Sequence, residues 1–318
     1  GKPFLEYLIE MLRDQGLRRI LLLLGYLPQK IQDYFGDGSR WAVEIEYSIT
    51  SVNDDTGRRL KLAQDKIDPT FLLLYCDNYW PMRFDEMWDW YTAQNVMALV
   101  TVYRNLDQYT RDNVCINSDG YVSLYDKSRA APNLKGVDIG FMILKHAILD
   151  LLPDDENVSF EKQVYPQLIA QHQLLAYTTD HRYYSVGGYE RLHLTEGFLK
   201  RSPTIFLDRD GVLNKKAAPS HYICSWSEWE WLPGVKEALR MFKESGYRVI
   251  IISNQAGIAR GSLTENDVTE IHENLKKEAL EAGGQIDAIY YCSHHWDDDC
   301  GCRKPKPGML LQAQRDFN

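Results

Sequence analysis

The chain has 318 residues, 44% of them hydrophobic and 25% charged, with a formal net charge of −9. That length exceeds what one core usually serves and points to two domains. The acidic balance argues against a nucleic-acid surface but leaves room for local phosphate-binding pockets. No apolar run approaches a membrane span, Ile20 to Leu24 reading instead as a core strand, and no signal peptide is visible. The chain opens at Gly1 without an initiator methionine and ends at Asn318 just after a helical start, so it reads as a fragment at both ends.

In chain order, Phe4 to Gln15 has helical periodicity closed by Gly16. Arg18 to Leu24 is a buried strand, Lys30 to Phe35 a short helix, and Ala42 to Ile49 an alternating strand. Thr56 to Ile67 reads as a helix. Phe71 to Cys76 is a continuous apolar strand that runs into Asp77. A Trp-rich helix over Phe84 to Gln94 and a strand over Met97 to Tyr103 follow. Repeated strand, helix, strand order predicts an α/β fold with a doubly wound, mainly parallel sheet. Ser118-Asp119-Gly120 then marks a hairpin, Val137 to Leu144 a strand, and His146 to Leu152 and Phe160 to Gln171 helices. Leu174 to Val186 reads as strand, stopped by Gly187-Gly188.

Leu192 to Arg201 is polar and reads as the junction between a domain over 1–200 and a second over 201–318. The second restarts the alternation with another mainly parallel, doubly wound sheet. An apolar run ends in Asp208 and Asp210, helix Gly234 to Ser245 packs Val235, Ala238, Leu239 and Phe242 on one face, and strand Arg248 to Ile252 follows. Thr264 caps a helix with Val268, Ile271 and Leu275 inward, and Ile286 to Tyr291 is the third strand. A bare Asp-x-Asp can be no more than an acidic turn. Here, however, successive strand ends also supply Ser253, Asn254 and Gln255, and a following loop supplies Arg303 and Lys304. Two carboxylates, a hydroxyl and a lysine at one sheet edge suit metal-assisted phosphoryl transfer.

Six cysteines occur, and three of them, Cys292, Cys300 and Cys302, fall within eleven residues that also hold His294 and His295. That is metal-ligand clustering rather than a disulfide framework. Three thiolates and an imidazole complete a tetrahedral zinc set. His294 is preferred to His295 on spacing. With no open position the zinc would be structural, pinning the loop that delivers Arg303 and Lys304.

The segments DRDGVLN (208–214), SNQAGIARG (253–261) and CRKPKPGM (302–309) closely resemble the haloacid-dehalogenase superfamily of phosphatases. Within it they look like the branch containing heptose bisphosphate 7-phosphatase and histidinol phosphatase, which carries the same C-x-H…C-x-C loop. The resemblance implies that Asp208 is the nucleophile that becomes an aspartyl-phosphate, and that Asp210 protonates the leaving alcohol and later activates water. Ser253 and Lys304 would hold the phosphoryl group, with Asn254, Gln255 and Arg303 contacting substrate. Magnesium would bind Asp208, the Asp210 carbonyl and an acidic residue of a later motif that lies beyond Asn318.

The first domain is similar to the sugar-phosphate nucleotidyltransferases through GKPFLEYLI (1–9), TGRRL (56–60), CDNYW (76–80), GVDIGFMIL (136–144), SFEKQVYPQL (159–168) and YYSVGGYERL (183–192). That similarity makes Asp77 a magnesium ligand, gives Glu161 and Lys162 to sugar and phosphate, and makes Lys127 a phosphate-reaching lysine. The family's Gly-rich nucleotide loop would precede GKP, Cys76 replaces its usual glycine, and Ser185 stands where it usually has a second metal-binding aspartate.

These features combine into a cytoplasmic bifunctional enzyme acting on a small-molecule sugar phosphate and a nucleoside triphosphate, with no nucleic-acid or membrane partner. A heptose 1,7-bisphosphate 7-phosphatase would feed a guanylyltransferase. A second reading gives the phosphatase histidinol phosphate, and a third makes the first domain a non-catalytic sugar-phosphate sensor. Lys215 and Lys216, in the insertion between Asn214 and Tyr222, disfavour a cationic substrate.

Overall fold

The computed structural model describes residues 1–218 and 221–317. They divide into two compact units, Gly1–Thr195 and Glu196–Asn318. The first contains, in order, α1 (Phe4–Asp14), β1 (Arg19–Leu24), α2 (Pro28–Phe35), β2 (Glu44–Ile49), α3 (Thr56–Leu62), β3 (Thr70–Leu74), β4 (Asn78–Tyr79), α4 (Phe84–Thr92) and β5 (Ala98–Tyr103). It continues with β6 (Val114–Ile116), β7 (Val122–Tyr125), β8 (Val137–Lys145), α5 (Phe160–Ala170), β9 (Leu174–Thr179) and β10 (Tyr184–Ser185). The boundary falls within α6 (Tyr189–Leu199), and the second unit adds β11 (Thr204–Leu207), α7 (Val235–Glu244), β12 (Arg248–Asn254), α8 (Glu265–Glu281), β13 (Ala288–Cys292) and α9 (Gly308–Phe317).

In the first unit β3, β8, β5 and β9 form one sheet in that order. β5 and β9 run parallel, as do β1 and β2 in a second sheet. β8 is antiparallel to both β3 and β5. Between β5 and β8 the chain makes the antiparallel hairpin β6–β7 and no helix. Without a crossover helix the returning strand need not come back parallel. All six residues of β5 are buried, and β8 is buried over nearly its whole length, so their apolar runs read continuously rather than alternating. α5 covers this core with Phe160, Val164 and Leu168. Among the described residues strands β1 and β3 each pair along one edge, and both line a cavity of 630 Å³ that Leu8, Ile9 and Leu12 of α1 also line.

The second unit is a parallel sheet in the order β11-β12-β13. Val249 and Ile251 of β12 pack with Leu239 of α7 and with Leu275 and Ala279 of α8. α8 starts on the expected residue: the Thr264 side chain accepts from the Asp267 amide while the Asp267 carboxylate accepts from Thr264 N at 2.7 Å. Such a reciprocal cap satisfies two otherwise orphaned donors. β11, the apolar run that leads into Asp208, is an edge strand with Phe206 39% exposed.

Three further expectations differ from the structure. The helix at Thr56 ends at Leu62 and passes into a 3-10 turn over Gln64–Lys66. The strand expected over Leu174 to Val186 stops at Thr179, and Tyr184–Ser185 pairs instead with Asn78–Tyr79. The polar junction is helical, with Phe198 and Leu199 buried.

Candidate active site and metal centre

The parallel strands β11 and β12 end at one sheet edge, where open α/β sheets expose their ligand crevice. β11 stops at Leu207, so Asp208 and Asp210 lie in the loop just past it. Gly211 takes a left-handed φ of +88° there, which a side chain rarely tolerates. That turn lets Gly211 N donate to Asn214 O at 2.9 Å and folds the loop back.

The Asp208 side chain remains 45% exposed and meets Lys304 Nζ at 2.8 Å. Its other oxygen accepts from Arg209 N at 2.8 Å. Lys304 comes from the loop between β13 and α9, and its ammonium also donates to Ile252 O at 2.9 Å. The backbone of Lys304 is gripped from β12: Asn254 Nδ2 donates to Lys304 O at 3.2 Å, and Lys304 N donates to Asn254 Oδ1 at 3.0 Å.

Asp210 lies deeper. Arg209 Nη2 donates to its Oδ2 at 2.9 Å, Gln255 Nε2 donates to the same oxygen at 2.9 Å, and Asn214 Nδ2 donates to Oδ1 at 3.1 Å. Burial opposes ionisation of Asp210, but the Arg209 charge and these donors outweigh it and hold the carboxyl below its usual value. Gln255 Nε2 also donates to Ser253 Oγ at 2.7 Å, and both residues are 1% exposed. Arg303 has a buried Nη1 with no hydrogen-bond partner among the described residues.

The structure therefore brings Asp208, Asp210, Ser253 and Lys304 to one edge, as expected. It changes the expectation for Asn254 and Gln255. Their amides are turned inward, one clamping the lysine loop and the other bonded to Arg209, Asp210 and Ser253, which leaves neither as a ready substrate contact. Lys215, in the insertion, pairs with Glu230 at 3.1 Å. Pro219 and Ser220 of that insertion lie outside the described residues.

At the end of β13 the four ligand atoms of Cys292, His294, Cys300 and Cys302 all lie within 4.8 Å of one another. Sulfur separations are 3.5 Å for Cys292 to Cys300 and 3.6 Å for Cys300 to Cys302, and His294 Nδ1 is 3.3 Å from Cys302 Sγ. A tetrahedron with metal–sulfur bonds near 2.3 Å sets its sulfurs about 3.8 Å apart, so the donor set fits a zinc-sized ion. Burial and the neighbouring thiols raise the Cys302 thiol while the hydrogen bonds it shares with its neighbours lower Cys300, as expected of thiols close enough to share a proton. His295 pairs instead with Asp297 at 3.2 Å.

In the first unit Asp77 follows β3, and Ser185 is held beside it by the β4–β10 pairing. A Cβ on Gly187 would lie 3.4 Å from Ser185 Oγ and 3.6 Å from Asp77 Oδ2, so both side chains face one spot. Burial raises Asp77 above the usual carboxylate value. Lys127 Nζ stands 3.5 Å from Glu161 Oε2, and Glu161 is 6% exposed at the start of α5. Lys162 is exposed.

Sequence reasoning missed Asp138, where Gly140 N donates to Oδ1 at 2.9 Å and Tyr165 OH donates to Oδ2 at 2.8 Å. Burial pushes Asp138 up to about 6. The signal was a single acid inside the apolar run GVDIGFMIL. Arg209 was missed as well, a basic residue between two acids.

Two α/β units, the second with carboxylates and a lysine at a parallel sheet edge beside a Cys/His cluster, define a two-domain α/β chain whose second unit gathers the groups that phosphoryl transfer uses. Residues 1–201 match the family model described as nucleotidyl transferase, and the chain belongs to that family. Residues 204–318 match the model described as polynucleotide kinase 3 phosphatase. The D-glycero-beta-D-manno-heptose-1,7-bisphosphate 7-phosphatase of Pasteurella multocida is 42% identical over 120 residues, covering 36% of this chain and 64% of the relative. The corresponding alpha-heptose phosphatase of Mycobacterium bovis is 38% identical over 111 residues, covering 35% of this chain and 58% of the relative. The chain thus spans less than two thirds of the curated relatives it matches. The crystal structure of HddC from Yersinia pseudotuberculosis is similar at 23% identity and a TM-score of 0.52, over 61% of this chain and 84% of that one. This likeness establishes the fold of the first unit. No helix is long and apolar enough to cross a membrane among the described residues.

Proposed function

We propose that the second unit is a phosphomonoesterase that removes the 7-phosphate of heptose 1,7-bisphosphate. The observation that carries this reading is Asp208, half exposed at the sheet edge, with the Lys304 ammonium 2.8 Å from it. An Asp208 oxygen attacks phosphorus, the bond to the sugar oxygen breaks, and that oxygen takes a proton from Asp210. The Asp210 carboxylate, ionised without substrate, would pick up that proton as the anionic phosphate arrives beside it. Water then attacks the aspartyl-phosphate and gives its proton to Asp210, and phosphate leaves as the bond to Asp208 breaks. Lys304 balances the charge of the transferring group. The hard oxygen donors of Asp208 and Asp210 suit magnesium, which when bound would neutralise phosphoryl oxygens. Zinc on Cys292, His294, Cys300 and Cys302 would hold the loop that carries Lys304.

The first unit, in the same reading, transfers a nucleotidyl group, probed first with GTP, to the heptose 1-phosphate: an oxygen of the sugar phosphate attacks the α-phosphorus, the α–β anhydride bond breaks and pyrophosphate leaves. Asp77 would hold its magnesium, while Glu161, Lys127 and Lys162 would meet sugar and phosphate. Consecutive steps in one chain support this pairing, and a cytoplasmic enzyme belongs to the same reading. The test offers heptose 1,7-bisphosphate and histidinol phosphate, then GTP, ATP, CTP and UTP in turn, to protein carrying both units. Faster release from the heptose compound and a nucleotide-sugar formed with GTP are expected. Preference for histidinol phosphate would overturn the substrate, and no transfer with any nucleotide would leave the first unit as a sensor.

A further inference from the structure

Arg209 is the largest fully buried side chain among the described residues and is 0% exposed. A buried guanidinium is costly unless its charge is matched, and here the match is the acid–base candidate itself. Nε lies 3.2 Å from each Asp210 oxygen, Nη2 lies 3.2 Å from Oδ1 and 2.9 Å from Oδ2, and Nη2 also donates to Gln255 Oε1 at 2.9 Å. Gln255 closes the ring. Its oxygen faces the cation, while its nitrogen faces Asp210 Oδ2 at 2.9 Å and Ser253 Oγ at 2.7 Å. That orientation is fixed by charge, since the reverse would set a carbonyl against a carboxylate. Both hydrogens of the amide nitrogen are used, so Gln255 has no donor left for a substrate.

We propose that Arg209 and Gln255 are positioning residues that lock Asp210 and Ser253 into one buried unit, and that Gln255 does not read the substrate. This rests on the phosphatase reading of Asp210. The Arg209 fork sets the carboxylate plane, and Gln255 ties that plane to the end of β12. Asp210 Oδ1 carries only the longer contacts, 3.2 Å to Arg209 Nε and Nη2 and 3.1 Å to Asn214 Nδ2, against 2.9 Å twice on Oδ2. It is the oxygen more readily freed to exchange a proton with the leaving group and with water. A carboxylate free to rotate would spend most of its time out of line with the bond being broken.

The test uses Gln255→Leu and Gln255→Asn, with Arg209→Lys and Arg209→Met beside them, each in the full chain and each checked for an unchanged melting curve of the second unit. Two probes separate the roles: heptose 1,7-bisphosphate, whose alkoxide needs a proton to depart, and p-nitrophenyl phosphate, whose phenolate does not. With the sugar, kcat should fall at least about tenfold in Gln255→Leu while KM stays within about twofold. With p-nitrophenyl phosphate, the first-turnover burst of nitrophenol should persist while the later steady rate falls, because water still needs Asp210. Arg209→Lys should recover part of what Arg209→Met loses.

A raised KM for the sugar with p-nitrophenyl phosphate unaffected would make Gln255 a substrate contact and overturn the proposal. So would unchanged kcat in well-folded Gln255 variants while Asp208→Asn is inactive, a result that leaves the phosphatase reading standing. A wild-type chain inactive on both probes would sink both readings together. Should the Arg209 variants unfold, the Gln255 pair decides alone.

Discussion

Replacing Asn254 by alanine removes both bonds that grip the backbone of Lys304, at 3.0 Å and 3.2 Å. A typical intramolecular hydrogen bond contributes about 0.5–1.5 kcal/mol net, so the pair is worth about 1–3 kcal/mol of local stability. Because the loop between β13 and α9 carries the loss, amide exchange at Lys304 should quicken roughly 5- to 150-fold, with far less change in the core of β12. Hydrogen exchange read by mass spectrometry on the peptide spanning 300–308 measures this directly. Turnover should fall with KM nearly constant, since the lysine loses position rather than charge. Asn254→Asp keeps the acceptor for Lys304 N but sets a carboxylate oxygen against Lys304 O, so it should rescue nothing. Unchanged exchange together with a raised KM would refute the clamp and return Asn254 to the substrate.

Two other outcomes follow from the same structure. Protein purified without chelator should carry one zinc per chain by elemental analysis, and Cys300→Ser should lose it, loosening the loop and lowering activity while Asp208 is untouched; metal-free wild-type protein with full activity would contradict this. Asp138, pushed up to about 6 in the fold, stands above the unfolded value of about 3.9. Its neutral form is therefore the one favoured by folding. Its contribution is fully present below pH ~4 and is lost as pH rises through about 6. Asp138→Asn should accordingly stabilise the first unit at pH 7 by up to about 3 kcal/mol, a ceiling because Asp138 keeps partial contact with solvent. Calorimetry of both proteins at pH 4 and pH 7 reads the difference, and an equal gain at both pH values would contradict the assignment.

Much of the site was legible because several of its groups follow a strand whose apolar run is unmistakable and the rest fall in one short loop with metal-ligand spacing. Asp208 and Asp210 past β11 and Ser253 after Ile252 belong to the first kind, and His294, Cys300 and Cys302 to the second. Arg209 was not legible, because it lies in the loop past β11 and its partners, Asp210 and Gln255, are set by how that loop folds back against the end of β12. Only a side chain as long as arginine's can curl back to its neighbour's carboxylate. Asn254 and Gln255 look alike in sequence as polar residues past a strand. Their different tasks depend on which loop and which charge happen to stand opposite, a tertiary matter. Likewise Tyr184 and Ser185 have strand-like character, but the polar stretch Asp180-His181-Arg182 breaks the run and a distant pair, Asn78 and Tyr79, claims them.

The central claim is that Asp208 forms a bond to phosphorus. Asp208→Asn keeps the shape and size of the side chain but presents an amide that cannot attack. Phosphate release from heptose 1,7-bisphosphate with magnesium, measured on the full chain alongside a melting curve, decides the matter. A folded Asp208→Asn protein with no release above background is the expected result, and one that turns over at the wild-type rate would contradict the account.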